Sequence, residues 1–126
     1  MKKLLTLLLI SAASSTLLAV SPFQTPAMNV EGTASSIVSK LDKTLLLTDK
    51  QKPKLLSIIS GYLHQRVNIQ SLQHSNETAY RTKLNSMQNG LHTRLKPLLT
   101  LTQYTEFLGQ KPKLPDETNV LTQLYY

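Results

Sequence analysis

The chain has 126 residues, no cysteine, and 14 Lys and Arg against 7 Asp and Glu, a formal charge of +7. That length bounds it to one domain. The lack of cysteine excludes disulfides, thiolate metal sites and a cysteine nucleophile.

Met1-Lys2-Lys3 is a short positive segment, and Leu4 to Ile10 is apolar apart from Thr6. Small residues follow from Ser11 to Ser15, then Thr16 to Val20. This is the layout of a secretory signal. A membrane anchor fits less well. Leu4 to Val20 is 17 residues long with five Ser or Thr, short of the ~20 apolar residues of a spanning helix. Two cleavage sites compete, Ala19-Val20-Ser21 and Thr25-Pro26-Ala27. Residues 1–27 are therefore assigned to the leader, 28–109 to a helical domain and 110–126 to a tail. No cysteine follows the apolar run, which excludes a bacterial lipoprotein anchor. The expected product is a soluble exported protein of the periplasm, without stable membrane insertion. Loss of Lys2 and Lys3 leaves 12 basic residues of the 14 against the same 7 acids, a net +5. A basic exported protein can meet lipid head groups, acidic polymers or acidic protein surfaces. No nucleic-acid motif is present, and nucleic acid is not an expected partner.

Val30, Ala34, Ile37, Val38, Leu41 and Leu45 recur at spacings of three and four, one apolar face of a first helix over about 30–46. Thr48 and Gln51 then have the spacing of a capping box. In such a box the Thr hydroxyl accepts from the Gln51 amide, and the Gln51 side chain reaches back to the Thr48 amide. Leu55, Leu56, Ile59, Tyr62, Leu63 and Val67 line a second helix, expected to reach about Leu72. Pro53 is expected to interrupt its ladder. Ser75 or Asn76 can cap a third helix, on which Tyr80, Leu84, Met87, Leu91, Leu95 and Leu98 form a regular stripe, with Pro97 near its end. Thr100 and Gln103 form a second box, with Leu99 and Tyr104 spaced as a hydrophobic staple. Phe107 and Leu108 complete a short fourth helix that Gly109 ends. The tail carries Pro112 and Pro115 and is read as irregular, with Leu121, Leu124, Tyr125 and Tyr126 apolar enough to dock somewhere. The fold class is all-α: a small four-helix, hairpin-like arrangement with an irregular C-terminal tail.

The two boxes share one spelling: Leu47, Thr48 and Gln51, then Leu99, Thr100 and Gln103. Two L-T-x-x-Q segments in a small, helical, exported chain resemble the Spy/CpxP family of periplasmic proteins. The resemblance covers about residues 40–110. It implies a four-helix protomer that dimerises antiparallel into a curved cradle. It also implies ATP-independent chaperone activity on unfolded or partly folded envelope proteins, or a stress-response accessory role. The chain departs from the family in being only 17% charged. The alternative is a small helical protein that binds one specific envelope partner, such as a sensor-kinase domain, with no chaperone activity.

Chemistry is sparse. His64, His74 and His92 are separated by 10 and 18 residues, whereas a helical metal pair needs three or four; solvated histidines are expected, and no metal or cofactor. No G-x-S-x-G, P-loop or H-E-x-x-H is present, so an enzyme is not expected. The candidate client surface combines the lysines Lys40, Lys43, Lys50, Lys52 and Lys54 with the apolar residues Leu55, Ile58 and Tyr62. The lysines would attract acidic client at long range and the apolar face would hold it briefly.

Overall fold

The computed structural model describes residues 28–126, and the expected signal sequence lies outside them. Among the described residues six helices follow one another: α1 (Val30–Leu45), α2 (Gln51–Ile69), α3 (Leu72–Ser75), α4 (Glu77–Leu98), α5 (Leu101–Gly109) and α6 (Thr122–Tyr125). The fold is all-α, with no strand among the described residues. Four longer helices match the expected count; α3 and α6 are single turns that were not expected.

Asn29 caps α1, its side chain accepting from the Gly32 amide at 3.1 Å. A Cβ on Gly32 would stand 2.8 Å from the Asn29 amide nitrogen, so glycine there is what lets the cap approach. The predicted face of α1 is buried in full, from Val30 through Leu45. The helix ends one residue sooner than expected. Leu46 takes the left-handed conformation, φ 56° and ψ 62°, which a branched L side chain adopts only at a cost. This turn brings the Leu47 amide to Asp42 Oδ1 at 2.9 Å and puts Leu47 in the core, while Leu46 points into solvent at 77% exposure.

Regular helix in α2 begins at Gln51, three residues after Thr48. Pro53 explains the delay. The Lys52 amide reaches the Thr48 carbonyl at 3.2 Å, but Pro53 has no N–H to continue the ladder to residue 49. Leu55, Ile59, Tyr62 and Leu63 are buried as predicted. Ile69 is buried in place of Val67, which is 37% exposed. The helix stops at Ile69 rather than Leu72, and α3 supplies the corner into α4. Asn76 caps α4 by accepting from the Ala79 amide at 3.1 Å. Pro97 is the penultimate residue of α4, and Leu99 beyond it is extended.

Helix α2 packs against both α1 and α4, and α5 lies against α1 and α4. The short connections make successive long helices antiparallel. The start of α2 therefore meets the end of α4, and the Gln51 side-chain amide donates to the Leu98 carbonyl at 3.0 Å.

The tail is irregular apart from the single turn of α6, as expected, and it docks on the helices. Leu121 and Leu124 belong to the main core, 1% and 2% exposed. The Tyr125 hydroxyl donates to the Phe107 carbonyl, and the Tyr126 hydroxyl to the Pro112 carbonyl. Asp116 ties the approach: its side chain accepts from the Thr118 amide and hydroxyl, which holds the carboxyl pKa below its usual range. Only one turn is helical, so the tail is docked by side chains more than by secondary structure.

Candidate functional site

Both boxes form. The Gln51 amide donates to Thr48 Oγ at 3.1 Å and the Thr48 amide to Gln51 Oε1 at 2.9 Å. Thr100 and Gln103 repeat the pattern at 3.1 and 3.0 Å. Leu47 and Leu99 are both buried, at 7% and 6% exposure.

The two boxes are also joined to each other. Gln51 Nε2 donates to Gln103 Oε1 at 2.7 Å, and Gln103 Nε2 donates to Gln51 Oε1 at 3.0 Å. Each carboxamide then spends its second N–H on the other segment's neighbour: Gln51 on the Leu98 carbonyl, Gln103 on the Leu45 carbonyl at 3.2 Å. The oxygen of each accepts twice and the nitrogen donates twice, the full capacity of a primary amide. Gln103 is the buried polar residue of the core. Sequence reasoning found the caps and missed the pair. The available signal was capacity: a capping box uses one lone pair of the carboxamide and leaves both N–H donors free.

The joined boxes bring residues 45–51 and 98–103 to one end of the molecule. That end carries two leucines in solvent, Leu46 at 77% and Leu101 at 82% exposure. Neither was singled out from the sequence, because each sits off the helical stripes.

The predicted client residues do not form one surface. Leu55 and Tyr62 are core residues, 0% and 1% exposed, and cannot touch a client in this fold. They lie on the α2 face that α1 and α4 cover. Ile58 is half-buried against the same core. Lys52 is engaged with Asp42 at 3.2 Å and Asp49 at 3.8 Å. Lys40 donates to Asn119 Oδ1 at 3.0 Å, which ties α1 to the tail. Lys43, Lys50 and Lys54 are exposed, with no hydrogen bond or ion pair among the described residues.

The histidines are not alike. His64 faces Glu31 at 3.3 Å, a carboxylate distant in sequence, and Ser60 donates to the same group at 3.1 Å. His92 corrects the expectation of a solvated ring. It is half-buried, its Nδ1 is 2.8 Å from the Tyr104 hydroxyl, and its ring meets Tyr104 and Phe107 edge-on. Burial, and then the Lys96 ammonium one turn on, hold its pKa below the ordinary imidazole value. The unfolded chain therefore binds more protons than the folded one as pH falls through about 6.5. Stability is expected to drop over that interval and to level off below the folded-state pKa. Urea midpoints at pH 7.5 and 5.5 check this, with His92→Gln losing that part of the drop. Among the described residues no His, Cys, Asp and Glu cluster could hold a metal ion, and no helix is long and apolar enough to cross a membrane.

No family model matches the chain, and no curated protein or solved structure is similar to it.

Proposed function

We propose that the protein is an exported, periplasmic chaperone that works without ATP, or an envelope stress-response accessory, and that it binds unfolded or partly folded envelope proteins. The observation that supports this reading is the pairing of the two L-T-x-x-Q boxes, since it gives the repeated motif one shared structural purpose in the chain. The Gln51 and Gln103 side chains are saturated by that purpose, so the motif builds the scaffold and leaves client contact to other residues. Those residues are Leu46 and Leu101 at the joined end, with the exposed Lys43, Lys50 and Lys54 as the attracting charges. Isolated leucines in solvent offer weak, short-lived contact, and lysines raise the encounter rate with acidic chains. A homodimer, as the resemblance implies, belongs to the same proposal.

Light scattering of an unfolding client, with and without the purified protein, tests it. Suppression that weakens between low and high salt is the expected result, because exposed charges are screened within about 8–10 Å at physiological salt. Suppression indifferent to salt would discard the lysine role. No suppression on several clients, with one stoichiometric band captured from an envelope extract, would establish the single-partner reading instead.

A further inference from the structure

The two ends of the helical bundle differ in charge. The joined end comprises the last turns of α1 and α4 and the first turns of α2 and α5, at ~4 residues to a turn, with the connections between them. Lys43, Lys50, Lys52, Lys54 and Lys96 stand there against Asp42 and Asp49, a local +3. Both acids lie against Lys52, at 3.2 and 3.8 Å, and the other four lysines are exposed. At the opposite end, α3 with the first turns of α1 and α4 and the last turn of α2 carries Glu31, Arg66 and Glu77, a local −1. The tail is neutral, with Lys111 and Lys113 against Asp116 and Glu117. The basic end also holds the two most exposed large apolar side chains of the described residues, Leu101 at 82% and Leu46 at 77%.

We propose that this end docks on an anionic lipid surface, with Leu46 and Leu101 in the headgroup layer and the lysines on lipid phosphates. Lysines near such a surface are drawn to it, and apolar tips convert the attraction into contact. The contact lies on the membrane and does not span it, since no helix of the described residues is long and apolar enough to cross. Other occupants fit less well. Four helix ends, each about 10 Å across, present about 400 Å², about half of the ~800 Å² per partner in a stable protein interface. A second copy would set one +3 end against another. A bilayer needs neither a matched patch nor a large one, and its charge is opposite. The inference goes beyond the chaperone reading and holds with or without client binding.

Vesicle co-sedimentation of the purified protein tests it, with vesicles of phosphatidylcholine alone or mixed equally with phosphatidylglycerol. Binding to the anionic vesicles is expected, weaker by about tenfold or more on phosphatidylcholine alone, and lost between about 50 and 500 mM salt. Leu46→Asn, which suits the left-handed turn, and Leu101→Gln should each weaken binding about five- to tenfold. Lys50→Gln should weaken it about fivefold. Leu114 is the control. It is 75% exposed but sits two residues beyond Pro112, which Tyr126 bonds at the far side with Arg66, so Leu114→Gln should change nothing. The chain has no tryptophan, and Leu101→Trp should emit further to the blue on anionic vesicles while Leu114→Trp should not. Unchanged binding in both Leu46→Asn and Leu101→Gln overturns the assignment, as does equal binding to both vesicle types or none to either. Self-association without lipid that Leu46→Asn abolishes would give the end to a second copy and overturn it too. Suppression of client aggregation without vesicle binding overturns this inference alone.

Discussion

Gln103→Ala is expected to lower the free energy of unfolding by about 2–4 kcal/mol, well beyond the loss of a helix cap. Removing a cap hydroxyl, as in Thr100→Ala, costs about 0.5–2 kcal/mol. Gln103→Ala also removes the cap's return bond, and it leaves the Leu45 carbonyl and both polar atoms of Gln51 short of a partner. Each buried group left in that state costs about 1–3 kcal/mol. Against a typical total of about 5–15 kcal/mol, the variant should show a much lower urea midpoint. A double-mutant cycle with Gln51→Ala isolates the pair. The interaction energy should fall in the 0.5–3 kcal/mol range typical of residues in one network, at about its upper half. Additive losses would mean that the two carboxamides act only as separate caps.

The second large effect is at Phe107. It is 1% exposed, stacks on Tyr125 with ring centroids 5.0 Å apart, and lies beside Tyr104 and His92. Phe107→Ala should cost about 3–5 kcal/mol, the range for emptying a buried aromatic site. The tail must feel it too, because the Tyr125 ring loses its stacking partner. Burial lifts the Tyr125 phenol pKa well above its ordinary value, so ultraviolet titration of that tyrosine reports docking. In Phe107→Ala it should ionise closer to an exposed phenol. Leu101→Ala and Leu108→Ala, on the solvent side of the same helix at 82% and 48% exposure, should stay within about 0.5 kcal/mol. A Phe107 variant as mild as those two would place α5 in the wrong orientation.

Helix faces were legible in the sequence because a stripe of apolar residues states its own geometry. The six α1 positions are all buried, and Leu91 and Leu95 of α4 lie in the core as their spacing requires. The tail was legible only as an irregular segment with apolar residues able to dock, and not in the geometry of that docking. Leu121 and Leu124 make a single i, i+3 pair, too short to show a period, and two prolines precede them. The client surface failed at Leu55 and Tyr62 through a different cause. Periodicity shows which face of a helix is apolar but not whether a neighbour covers it, and α2 turned out to be covered on two sides. The bond between the boxes was legible only as a need: each capping carboxamide leaves its N–H donors free, but local chemistry says nothing of which partner, here 52 residues away, takes them.

The left-handed turn at Leu46 sets two selective pressures against each other. Glycine would relax the backbone there, and Leu46→Gly should raise stability by up to about 1 kcal/mol. The same change deletes a solvent-facing apolar group from the joined end. If that group meets clients, the relaxed variant will melt later and protect less, a conflict familiar where activity is kept at the expense of stability. A variant that gains stability and keeps full protection would move client contact away from the turn.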